Sequence, residues 1–100
     1  MIKHIVCFKL KDKTEEIVQT AMETLLSMNG NVPTAKKVEV HRDFLESPRS
    51  YDIMLEVTLD GKEFLDEYQN DGYHCSVVKE LMHRIAEKRH FNRLRILKGE

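Results

Sequence analysis

Hydrophobic positions along the chain change period several times, and each change marks an element. From Ile2 to Leu10 the period is two. Ile2, His4, Val6, Phe8 and Leu10 share one face, and Lys3, Ile5, Cys7 and Lys9 share the other. This alternation, rich in β-branched residues, predicts a strand. The second face is partly apolar as well, so the strand is expected to be covered on both sides. After Asp12-Lys13-Thr14 the period becomes helical through Ile17, Val18, Ala21, Met22, Leu25, Leu26 and Met28. Asp12 or Thr14 is placed to cap this helix, Glu15 and Glu16 suit its positive end, and Gly30 is expected to end it in a left-handed conformation. Val38 and Val40, alternating with Lys37, Glu39 and His41, predict a second strand. Ser47-Pro48-Arg49-Ser50 reads as a loop.

The clearest strand follows. Tyr51, Ile53, Leu55, Val57 and Leu59 alternate with Asp52, Met54, Glu56 and Thr58. Asp60-Gly61 opens a short helix with Phe64, Leu65 and Tyr68, which Asn70-Asp71-Gly72 breaks. A third helix carries Val77, Val78, Leu81, Met82, Ile85 and Ala86 on one side. Phe91, Leu94, Ile96 and Leu97 mark a last strand. The order is β-α-β-β-α-β, the split βαβ or ferredoxin-like pattern, with right-handed crossovers. The expected fold is therefore α+β: a four-stranded antiparallel sheet with helices on one face, in one domain over residues 1–100. Ile5, Cys7 and Met54 lie on the face without helices. They predict an isologous homodimer in which two sheets pack into a barrel-like core.

Composition narrows the function classes. Of the 100 residues, 41% are hydrophobic and 33% charged, as in an ordinary globular chain. Sixteen Lys plus Arg against 17 Asp plus Glu give a net charge of −1, without the basic excess of nucleic-acid binders. The locally basic Lys88, Arg89, His90, Arg93, Arg95 and Lys98 read as a solvated helix end and an outward strand face. No apolar run reaches the roughly 20 residues that span a bilayer, so no membrane partner is expected. Cys7 and Cys75 do not make a disulfide framework, and a cytoplasmic location is the expectation.

Three residues are candidates for chemistry. His4 shares the apolar face of Ile2, Val6 and Phe8, where an imidazole needs a partner; the plain alternative is a satisfied core histidine. His74 stands at the start of the third helix, where the helix dipole disfavours the imidazolium. It would then be neutral and able to accept a proton; otherwise it is a capping or solvent-facing residue. Tyr68, six residues earlier, can turn its phenol toward the same region and hold a carbonyl oxygen, or simply pack in the core. A metal site is not expected: His4 and Cys7 point to opposite strand faces, His83 and His90 are too sparse, and His41 faces out. Cys75 next to His74 diverges from it on a helix, so no Cys-His pair forms. No phosphate-cradling glycine motif is present among the four glycines, and no cofactor is expected.

The opening run Met1-Ile2-Lys3-His4-Ile5-Val6-Cys7-Phe8-Lys9-Leu10-Lys11, Tyr51-Asp52 before the third strand, and Tyr68-Gln69 followed by His74 resemble the stress-responsive A/B barrel (Dabb) family. The resemblance implies a dimeric α+β barrel with a cavity between sheet and helices in each subunit. Many members of the family have no known reaction, so it implies a non-catalytic or unassigned pocket protein. A plant polyketide cyclase of the family supplies the alternative. By that resemblance His74 is the base of an intramolecular aldol condensation, Tyr68 orients it or the substrate, His4 lines the pocket, and the ligand is a small apolar carbonyl compound. The chain departs from the family pattern at Asp71-Gly72-Tyr73, where a His-Pro-x-His-like run is usual. It also departs at Asn92, often an aspartate, and at Leu25, a pocket tyrosine in the cyclase.

Overall fold

The computed structural model describes residues 1–44 and 50–87 in full and 92–97 as backbone. The expected loop at Ser47-Pro48-Arg49, the basic Lys88, Arg89, His90 and Lys98, and Phe91 lie outside the described residues. Four strands form one sheet: β1 (Ile2–Phe8), β2 (Lys37–Arg42), β3 (Ile53–Leu59) and β4 (Asn92–Leu97). Their order is β2-β3-β1-β4 and every neighbouring pair is antiparallel. β1 sits in the interior of the sheet, with Val6 opposite Leu55 on one side and opposite Arg93 on the other.

Burial along β1 alternates residue by residue, as its sequence does: Ile2, His4, Val6 and Phe8 are buried, and Lys3, Ile5 and Cys7 are half-buried. The buried face meets α1 (Glu15–Leu26) through Val18, Ala21 and Leu25. Thr14, not Asp12, is the cap: its hydroxyl accepts from the Ile17 amide at 3.3 Å. The regular helix ends at Leu26, short of Gly30. The Ser27 hydroxyl donates to the Thr24 carbonyl at 2.6 Å, and the Asn31 side chain donates to the Ser27 carbonyl. These side chains compete for the carbonyls of the last turn. Three-residue turns then carry the chain to Gly30, whose φ of +85° is the expected left-handed conformation.

One reading needs correction. Asp52 was expected on the polar side of β3, but the strand begins at Ile53 and Asp52 is only 7% exposed. Its carboxylate accepts from the Leu10 amide at 2.7 Å and meets the Lys13 ammonium at 3.3 Å. Those partners make the burial of a charge tolerable, and they clasp the exit of β1 to the entry of β3. The expected third helix is present but is not α-helical throughout. It starts as a π-helical segment, His74–Lys79, and becomes α3 only over Glu80–Ile85. The Ser76 hydroxyl takes the Gly72 carbonyl at 2.7 Å, in competition with the α-helical bond to that acceptor. Before it come a 3₁₀ turn, Lys62–Phe64, and the one-turn α2, Leu65–Gln69.

The opposite sheet face carries Ile5, Cys7 and Met54, each half-buried within the single chain, beside Glu39, His41 and Glu56. Ile5 stands between Glu56 on β3 and Leu94 on β4 in the strand register. Among the described residues no helix is long and apolar enough to cross a membrane.

Candidate functional site

Helix and sheet do not close completely on one another. Between them lies a cavity of about 460 Å³, within the range of small-molecule sites. Its apolar wall comes from Val6, Phe8, Leu25, Leu55, Val78 and Met82. Its polar groups are His4, Tyr68, His74 and, toward solvent, Gln69, Asn70, Lys79 and His83. The departure from the family pattern at Leu25 is thus an apolar patch of the wall.

The three expected site residues converge here. Tyr68 reaches the cavity from α2 and is fully buried. Its ring stacks on His74, with centroids 4.5 Å apart and planes 28° from parallel. His4, 4% exposed on β1, meets the same ring edge-on at 5.4 Å. The break at Asn70-Asp71-Gly72 makes this possible. Asp71 accepts from the backbone amides of Tyr73 and His74 at 2.9 and 3.1 Å, so the chain reverses and returns His74 over Tyr68. Tyr73 is tied back to α1, its hydroxyl 2.6 Å from that of Ser27.

His74 is 7% exposed, and its Nδ1 is buried without a hydrogen-bond partner. Burial pulls its pKa below the ordinary 6.5, and the positive charge of Lys79 lowers it further. The nearby carbonyls of Gln69 and Tyr68 and the Asp71 carboxylate oppose this without reversing it. The imidazole is therefore neutral at pH 7, as expected, but for a different reason. The dipole was the expected cause; here desolvation comes first, and Asp71 at the segment's start works the other way. Tyr68 is held firmly as the phenol, because burial and then the Asp71 charge push its pKa well up. Its hydroxyl points to the Met28 sulfur at 3.8 Å, a weak acceptor that a better one can replace.

The lowered pKa has a consequence for stability. The unfolded chain binds a proton at His74 near pH 6.5, and the folded chain binds it only at lower pH. Folding stability from this group is fully present above 6.5 and is lost as pH falls from there through the folded pKa. The Tm of the wild type is expected to fall over that window more steeply than that of His74→Asn, in thermal melts at matched ionic strength. Parallel curves would contradict the assignment.

The sequence reading missed Gln69, Asn70, Lys79 and His83 as cavity residues. The i, i+4 spacing of Lys79 and His83 was a usable signal, but the π-helical winding that turns Lys79 inward was not legible. A second cluster was also missed. Donor atoms of Glu39, His41 and Glu56 on the helix-free face lie within 4.8 Å of one another. His41 Nε2 is 3.3 Å from the Glu56 carboxylate, so His41 does face out, but toward a carboxylate. The thiol of Cys75, exposed, donates to the Gln69 carbonyl at 3.3 Å. Burial raises the pKa of the half-buried Cys7.

Solved structures with this architecture are numerous. A protein from Arabidopsis thaliana superposes with a TM-score of 0.84 at 16% identity, covering 100% of this chain and 97% of that one. Hydroxynitrile lyase from Passiflora edulis gives 0.80 at 15% identity, covering 99% and 94%. A dimeric ferredoxin-like protein of unknown function from Bacteroides fragilis gives 0.73 at 20% identity, covering 95% and 93%. At such identities the likeness establishes a ferredoxin-like α+β fold and leaves activity open. Among curated proteins no relative matches the sequence. The profile of the stress responsive A/B barrel domain matches residues 2–91, nearly the whole chain, which therefore belongs to that family.

Proposed function

We propose that residues 1–100 form one domain that pairs with a second copy into an α+β barrel. In this reading its cavity binds a small, largely apolar carbonyl compound on which His74 acts as a base. The observation that carries the reading is a neutral imidazole, stacked on the Tyr68 ring, that lines a cavity of ligand size.

The chemistry follows from the stacked rings. His74 accepts a proton from the carbon beside a bound carbonyl; the C–H electron pair becomes the C=C bond of an enolate, and the carbonyl π pair moves onto the oxygen. The Tyr68 phenol, turned from Met28, donates a hydrogen bond to the resulting enolate. His4 packs against Tyr68 and holds it in place. The enolate then either takes the proton back or attacks a second carbonyl of the same molecule, an aldol step. The dimer is supported by the half-buried Ile5, Cys7 and Met54 and by dimeric proteins of the same fold.

A binding module without turnover is the second reading. It is favoured by the Tyr68 hydroxyl, which already has an acceptor in Met28. One experiment separates the two. The protein is melted in the presence of aryl and alkyl ketones, and those that raise Tm are incubated with it in heavy water. A rise in Tm with deuterium entering the carbon beside the carbonyl supports the base. A rise without exchange supports the binding module. No rise with any ketone overturns the use of the cavity.

A further inference from the structure

The polar groups of the cavity are unevenly charged. Among the described residues they include one lysine and three histidines, and no carboxylate. Apolar side chains and buried rings form its interior, and the half-buried Lys79 stands beside the exposed Asn70 and His83 toward solvent. Among the described residues Lys79 makes one hydrogen bond, to the Gln69 carbonyl at 3.3 Å, and no carboxylate pairs with it. Asp71, the acidic residue whose charge reaches His74, is engaged by two backbone amides.

The π-helical segment is what brings Lys79 there. His74 and Lys79 are five residues apart. On an α-helix that spacing would turn them roughly 140° from one another. Between His74 and Lys79 the backbone is wound with i→i+5 bonds, about one residue wider per turn, which returns the fifth residue to the side of the first. Both therefore line one cavity. Such segments cost backbone regularity and are frequent at functional sites. A single ammonium with one neutral acceptor, at the edge of an apolar pocket, is suited to an anionic head group on an apolar body.

From this arrangement we infer that the ligand is an acid: a small keto carboxylate whose carboxylate is held by the Lys79 ammonium at the cavity's edge while its carbonyl lies against Tyr68 and His74. This deepens the proposed function and rests on it only for the use of the cavity. Lys79 is a specificity-determining residue here.

The test compares para- and meta-acetylbenzoate with their methyl esters, which keep the ketone and lose the charge. Binding is read by calorimetry for the wild type, Lys79→Met and Lys79→Arg. At least one acid is expected to bind the wild type about tenfold or more tightly than its ester, the size of one charge-assisted hydrogen bond. Lys79→Met should erase that preference, and Lys79→Arg should keep it. Equal affinity of acid and ester in the wild type, a preference that survives Lys79→Met, or no binding of either acid would overturn the inference. The preference is measured without turnover. An acid that binds in this pattern but exchanges no proton would end the role of His74 and leave that of Lys79 standing.

Discussion

Replacing His74 with alanine is expected to cut proton exchange at a bound ketone by about 10²- to 10⁴-fold, the usual contribution of a positioned base. The fold should survive. The Gln69 carbonyl beside the ring keeps the Cys75 thiol and the Lys79 ammonium as donors, so the substitution does not leave it stranded. The loss is the stacking on Tyr68, about 0.5–1.5 kcal/mol beyond the buried area. Ligand binding should also survive, since the apolar wall and Lys79 remain. Tm, ligand-induced Tm shift and exchange rate, measured side by side, make the pattern specific. Exchange that persists in His74→Ala would remove the base from the account.

The second large effect concerns the other sheet face. Ile5→Glu is expected to convert a dimer to a monomer. The new carboxylate would stand directly opposite Glu56 in the register, itself opposite Glu39 on β2. Like charges facing across strands are unfavourable. Burying an unpaired charge in an interface costs several kcal/mol. The dimer dissociation constant should rise by about 10³-fold or more, read by sedimentation or light scattering over a concentration series. In the monomer Met54 and Cys7 lose the cover that a second sheet would supply, so Tm should fall as well. A variant as dimeric as the wild type, or a wild type that is monomeric, would place the interface elsewhere.

The elements were legible where one physical signal dominated. Alternation alone identifies β1 and β3, because burial on one side selects every second residue, and Val18, Ala21 and Leu25 mark the buried stripe of α1. The misreadings arose where local hydrogen bonds competed with the pattern. Asp52 looks like an outward polar residue until the Leu10 amide and Lys13, both far from it in sequence, are brought to it by the fold. Ser27 shortens α1, and Ser76 accompanies the π-helical winding, through side-chain bonds that no hydrophobic period reports.

The site shows the same division. His4, Tyr68 and His74 could be singled out as residue types, yet their mutual contact depends on the reversal at Asp71. The neutral state of His74 was anticipated from the helix dipole, whereas the ring's burial is what produces it. Lys79 could not be placed at all without the wider winding of the segment it ends.

The most direct measurement is the pH dependence of deuterium exchange into a ketone that stabilises the protein, for the wild type and His74→Ala together. The wild-type rate should be low in acid, rise with a midpoint below 6.5 as the imidazole loses its proton, and level off toward neutrality. The variant stays low throughout. A wild-type profile that coincides with the variant's, or a midpoint above 6.5, would contradict His74 as the base.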